Sequence, residues 1–378
     1  MPSLLKASAN EPQICVAQSW EGLRMKSDPF GVAIAACVAA ITITYFSLAP
    51  VEITPSGWRP PKLAERVRTS ETLKGIKRIG LHVGVGPEGI SFDDAGRIYA
   101  GYADGRVVRF SADGRTHEEL ANTGGRPWGT FASTDGSAVL VADAVKGLLR
   151  IAQGKVEVLS TQSDGVPFKL TDDVVQAKSG IIYFTDASSK YGLDKMMADV
   201  FEHGDHGRLL SYDPQTRKTT TLASGLHVAN GVTLGPDDAY VLVSETLQYR
   251  VMRYWLKGPK AGQFEPFIEN LPGFPDNISY NGRDGFWLAL FAPRDVLLDG
   301  MLPYPALLKA VYRIPDAMRP KAAKHGRVLK LDFNGKVMAD LQDATDGAYA
   351  PITSVRERGS SLYFGSIEYP GIGQLPLP

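Results

Sequence analysis

From about residue 75 the chain is a succession of short apolar runs separated by polar turns. Runs such as Ala138-Val-Leu-Val-Ala-Asp143, Ile181-Ile-Tyr-Phe-Thr-Asp186, Ala239-Tyr-Val-Leu-Val-Ser-Glu245, Phe286-Trp-Leu-Ala-Leu-Phe291 and Ser361-Leu-Tyr-Phe-Gly-Ser366 are short, rich in β-branched and aromatic residues, and bounded by turn formers. That pattern predicts buried strands rather than helices. Each run is the second arm of a hairpin whose turn carries Gly or Asp, as at Asp94-Ala-Gly96, Asp135-Gly136, Gly180 and Asp284-Gly285. The unit occurs six times, at a spacing of roughly 40 to 60 residues, and such a period predicts an all-β, six-bladed β-propeller over residues 74–378. A sandwich of stacked hairpins is the alternative. The sixth unit ends too near the carboxyl terminus to supply four strands. The strand-like stretch Lys74-Gly-Ile-Lys-Arg-Ile-Gly-Leu-His-Val83 precedes the first unit and is expected to close the ring as the outer strand of the last blade.

Residues 30–50 break the pattern. They contain no charged side chain, and their length matches a bilayer crossing of about 20 residues. We read them as a single N-terminal transmembrane helix that anchors the chain to a membrane, with a cleaved signal peptide or a core helix as alternatives. Arg24 and Lys26 precede the span and the next basic residue after it is Arg59. This places the N-terminal tail (1–29) in the cytoplasm and the propeller in an extracytoplasmic or lumenal space. Residues 51–73, with Pro55, Pro60 and Pro61, read as a stiff linker.

Lys plus Arg equal Asp plus Glu at 41 each, so no bulk charge draws the chain to nucleic acid. Its two cysteines, Cys15 and Cys37, both precede the globular part. That excludes a disulfide framework, a thiolate metal site and a cysteine nucleophile there.

Aligning the six units exposes two columns. The residues at or just before each first strand are Glu88, Trp128, Asp172, Asn230, Asp276 and Ile352. In a propeller these positions ring the mouth of the central channel. Four carry side-chain oxygen, which is what a hard divalent cation requires. Asn277 is a further candidate ligand. The second strand returns to the same face and ends at Tyr102, Asp143, Asp186, Glu245, Phe291 and Ser366. Its carboxylates are expected near the rim, as supports for the ligands, as a general base, or as partners of turn amides. Asp186, in the same unit as Asp172, is the preferred candidate for base or orienter. His227, three residues before Asn230, is a candidate proton shuttle. His203-Gly-Asp-His206 has no third ligand nearby and reads as a solvated loop. Two partly apolar insertions, 188–207 and 292–326, follow second strands and should cover the same face.

Several runs in order (Gly125-Arg-Pro-Trp-Gly129, Ile182-Tyr-Phe-Thr-Asp-Ala-Ser-Ser-Lys190, Gly207-Arg-Leu-Leu-Ser-Tyr-Asp213, Asn230-Gly-Val232 and Leu271-Pro-Gly-Phe-Pro-Asp-Asn-Ile278) resemble the strictosidine synthase-like proteins. Within that family they resemble the adipocyte plasma membrane-associated type, a group similar to paraoxonases and gluconolactonases. The resemblance implies a six-bladed propeller with Ca2+ in its channel and hydrolysis of a small-molecule lactone or aryl ester. The implied ligands are Glu88, Asp172, Asn230, Asp276 and Asn277. The sequence departs from the family at Asp172, where relatives usually carry Asn, and at Trp128, where paraoxonases carry a catalytic His. The last-blade segment Tyr349-Ala-Pro-Ile-Thr-Ser-Val355 lacks the Glu of the true synthases, which argues against carbon–nitrogen bond formation. The expectation is a calcium-dependent hydrolase with Asp276 and Asp186 as catalytic carboxylates and Trp128, His227 and Phe291 in the substrate pocket. A non-enzymatic binding module is the alternative.

Overall fold

The computed structural model describes residues 28–48, 50–63, 70–319 and 321–377. Most of the N-terminal tail, with Cys15, Arg24 and Lys26, lies outside the described residues. The chain divides into two compact units, one ending at Pro50 and one comprising Val51–Pro378. The first contains a single helix, Pro29–Leu48, with no acidic or basic side chain. It is long and apolar enough to cross a membrane. Its start is conventional: Asp28 accepts a hydrogen bond from the Phe30 amide, and Pro29 fills the first helical position, where its missing N–H costs nothing.

The second unit is a six-bladed β-propeller of four-stranded antiparallel sheets. Blades 1 to 6 begin at strands Ile90–Phe92, Pro127–Ala132, Thr171–Gln176, Ala229–Leu234, Gly273–Tyr280 and Ser354–Arg358. These first strands pack side by side in a closed circle around the axis. The last blade is completed by Lys77–Ile79, which pairs antiparallel with Ile372–Pro376. The stretch before the first unit therefore does close the ring, and both ends of the propeller share one sheet.

The core is distributed between the blades. Leu242 and Val251 of blade 4 pack with Ile278, Phe286 and Leu288 of blade 5, all almost fully buried. Both faces of each blade are covered by neighbours, which is why the strands read as continuous apolar runs rather than strict alternation.

We call the end of the channel where the inner strands begin the mouth. Both insertions lie on that side. The first contains helix Met196–Glu202, and the second contains helices Val296–Met301 and Pro305–Tyr312. They pack together as a cap in which Ile53, Tyr191, Phe201, Leu302 and Leu308 are buried. Ile53 belongs to the stretch read as a linker, and that reading needs correction. The Thr54 amide donates to Glu202 at 2.8 Å, and the Ser56 and Trp58 amides donate to the Glu202 and Leu302 carbonyls at 3.1 Å. The prolines stiffen the segment, but helix-end acceptors in the cap hold it in place.

The loop reading of His203 is also corrected. It ends the first cap helix in the left-handed conformation (φ 52°) and is 1% exposed. Its ring lies between Trp58 at 4.7 Å and His227 at 4.6 Å. Burial holds its pKa down at about 4, so the ring is neutral. His206 bonds Glu202 at 2.9 Å rather than standing free in solvent.

Candidate active and metal centre

Four of the six rim residues are delivered by irregularities in the inner strands. The ladder between first and second strand slips between Pro127 and Gly129 in blade 2, between Thr171 and Val174 in blade 3, between Ala229 and Val232 in blade 4, and between Gly273 and Ile278 in blade 5. Each slip falls on a rim position: Trp128, Asp172, Asn230 and Asp276. A bulge releases a side chain from the alternating pleat and re-aims it, so these residues leave the sheet register.

Adjacent blades also approach closely here. A Cβ on Gly231 would lie 2.4 Å from the Asn277 Cα and 2.8 Å from the Asp276 carbonyl oxygen. Gly231→Ala is therefore expected to push blades 4 and 5 apart, destabilise the fold by about 2 kcal/mol or more, and weaken metal binding. Denaturant titration with and without calcium measures both effects.

Glu88, Asp172, Asn230, Asp276 and Asn277 are all at least nine-tenths buried. Burial pushes the Glu88 pKa up to about 8, reinforced by Asp173 and opposed by the Arg126 guanidinium. Asp172 is held well above the ordinary carboxylate range by burial and by the charges of Glu88 and Asp276. Asp276 is raised by burial and Glu88, while Asn230 and the Asn277 amide bond to its ionised form. The three carboxylates therefore sense one another across the channel mouth. Sequence reasoning missed two charges that belong to the same set. Asp173 accepts from the Val174 and Val232 amides at 2.8 and 2.9 Å, tying blade 3 to blade 4. Arg356 shares a small channel cavity with Asp173, Asn277 and Ser354 and opposes the burial that raises Asp173 to about 6.

Among the described residues no three His, Cys, Asp or Glu side chains are gathered into a ready-made metal cluster. The mouth set is instead three carboxylates and two amides contributed by four blades. The residues nonetheless fit a hard cation. Glu88 Oε2, Asp172 Oδ1 and Asn277 Oδ1 are buried oxygens without a hydrogen-bond partner. Unsatisfied buried carboxylate oxygen is costly, and a divalent ion removes that cost.

The second-strand carboxylates do something different. Asp143 Oδ1 accepts from the Arg126 amide at 3.0 Å. Asp186 Oδ1 accepts from Lys169 and Leu170 at 3.2 and 3.0 Å. Glu245 accepts from His227 at 3.0 Å. Each thus grips the turn that leads to the rim residue of its own blade: Trp128, Asp172 or Asn230. Asp186 and Glu245 are further held by Arg208 and Arg250, each at 2.6 Å. Every oxygen of Asp186 is engaged and none of it is exposed, a geometry that fits the orienting role offered beside that of general base. Asp186→Ala leaves Arg208 buried and unpaired, so a loss of about 3 kcal/mol or more is expected. Turnover per folded molecule should change far less. A collapse of turnover at unchanged stability would return Asp186 to the chemistry.

Trp128 is 2% exposed with no partner for its indole N–H. It packs with Ala144, Leu170, Ala187, Met196 of the cap, Val228 and Ile367, which brings four blades together over the mouth. The His227 ring donates from Nδ1 to the His203 carbonyl at 3.0 Å, because a carbonyl only accepts. Burial lowers its pKa, so the neutral ring keeps Nε2 as an acceptor. Phe291 is half-buried near the end of its strand.

Residues 172–259 match the strictosidine synthase family, and residues 68–110 match the strictosidine synthase-like amino-terminal family. Protein strictosidine synthase-like 4 of Arabidopsis thaliana is 38% identical over 326 residues, covering 84% of this chain and 85% of the relative. The human adipocyte plasma membrane-associated protein is 32% identical over 356 residues, covering 87% and 84%. Among solved structures, a Xanthomonas campestris gluconolactonase superposes with a TM-score of 0.57 at 17% identity, covering 86% of this chain and 99% of that one. The calcium-binding protein regucalcin of Agrobacterium tumefaciens gives 0.56 at 16%, covering 80% and 94%. The structural likenesses establish a shared propeller fold.

Proposed function

Because this chain belongs to the strictosidine synthase-like family, we propose that it is a membrane-anchored hydrolase of lactones or aryl esters that works with a calcium ion at the channel mouth. The observation that carries this reading is the ring of buried, partnerless oxygens on Glu88, Asp172 and Asn277, electrostatically joined to Asp276. Glu88, Asp172, Asn230, Asp276 and Asn277 would hold the ion, an all-oxygen set from loops and bulges that suits calcium better than a rigid octahedral ion. When bound, calcium supplies Lewis-acid polarisation of a carbonyl and stabilisation of the developing oxyanion. Asp276 is the carboxylate assigned to take the proton from the attacking water, since Asp186 is engaged elsewhere. Trp128, Met196 and Val228, which pack together, would form the apolar wall against which an acyl or aryl group rests, and His227 and Phe291 are assigned to the same pocket. The helix Pro29–Leu48 is assigned as the anchor, with the amino terminus cytoplasmic and the propeller outside the cytoplasm or in a lumen.

The test is hydrolysis of a panel of lactones and aryl acetates by the full chain in detergent, before chelation, after it, and with calcium restored. Activity that vanishes and returns is the expected result. Protein that binds calcium but hydrolyses nothing would instead be a binding module, a role the same fold supports equally well.

A further inference from the structure

The cap has an outer side that the hydrolase reading does not use. Val296 is 85% exposed, Leu297 64%, Tyr304 58%, Leu307 42% and Met318 74%. All five lie in the single insertion 292–326, whose inner side is anchored by Leu302 and Leu308. Leaving this much apolar surface in water is unusual and marks a surface that meets something else. The same insertion carries six Lys or Arg against three Asp, and Lys321 and Lys324 are exposed. Apolar side chains interspersed with excess positive charge complement an anionic lipid surface.

We propose that the insertion 292–326 docks on an anionic lipid headgroup surface. So far as this concerns substrate, it rests on the hydrolase reading above: the substrates would be lipophilic esters or lactones taken from the membrane phase rather than from water. Val296, Leu297, Leu307 and Met318 would enter the interface, and Lys321 and Lys324 would meet the phosphates.

The experiment uses the full chain with Cys15→Ser and Cys37→Ser, reconstituted in nanodiscs containing phosphatidylserine. A nitroxide is attached at Val296→Cys, Met318→Cys or Met338→Cys. Met338 is 58% exposed and begins the outer strand of blade 5, on the face opposite the mouth. Labels at 296 and 318 should be relaxed by oxygen dissolved in lipid and protected from a water-soluble nickel complex, while the label at 338 shows the reverse. All three labels accessible from water would overturn the proposal. Labels at 296 and 318 shielded from both reagents would also overturn it, because a protein partner or a second copy would then cover the face. This readout needs no turnover, so it stands or falls independently of hydrolysis. If hydrolysis is found, Val296→Asp with Leu297→Asp should lower turnover of a bilayer-dissolved ester roughly tenfold and leave a water-soluble aryl acetate unaffected. Equal loss on both would overturn the substrate claim.

Discussion

On the calcium-hydrolase reading, replacing Asp276 by alanine is expected to lower hydrolysis by on the order of a thousandfold and to weaken calcium binding while the β-sheet circular dichroism stays unchanged. The carboxylate stands at the bulge of blade 5, nine-tenths or more buried. It senses Glu88 and is bonded by Asn230, so its loss removes one of three charges from the cation site. The backbone of this strand is fixed independently, through the Asn277 amide to the Thr353 carbonyl at 3.0 Å. The stability signature is as informative as the rate. In metal-free protein Asp276 is a buried carboxyl repelled by Glu88, so the alanine variant should be no less stable than the parent. With calcium present the parent gains stability and the variant does not. Unchanged turnover in the variant would remove the central reading.

Chelation combined with a change of pH gives the second large effect. An unfolded glutamate loses its proton near pH 4.5, whereas folded Glu88 holds its proton up to about pH 8. Between those values the folded chain binds more protons than the unfolded one, so stability falls as pH rises. Asp172 and Asp276, also raised by burial and mutual repulsion, act in the same direction. The Tm of chelated protein should therefore fall by roughly 5–10 °C between pH 5 and pH 8. Saturating calcium should flatten or reverse the trend, because the ion favours the ionised ligands and binds more tightly as they deprotonate. Scanning calorimetry with and without chelator measures it. A chelated Tm that rises across the window would mean that the mouth carboxylates are already compensated inside the protein.

The ring closure at Lys77–Ile79 could be inferred because it follows from counting strands. The rim column could be read because each of its members sits at a fixed offset from a hairpin turn. Asp186 occupies an equally regular position, yet its role was not readable from it. Whether a strand-end carboxylate is a base or an anchor depends on Arg208 and on two turn amides, and only folding brings these together. Arg126 lay inside a motif with no sign that its charge would fall near Glu88. His203 looked like solvated loop because nothing near it in sequence covers it; Trp58 does.

Taken alone, then, the sequence determined the repeat, the propeller, the apolar helix and the ring of oxygen side chains. Periodicity, turn chemistry and uncharged length are properties of neighbouring residues, and they survive without any knowledge of what packs where. The tertiary structure decided which oxygens are engaged and which are left without a partner, and it turned an apparent linker into part of a cap. Those outcomes depend on contacts such as that between Thr54 and Glu202, 148 residues apart. No local pattern encodes such pairs, because the free energy that selects them comes from burying groups that meet only once the ring has closed.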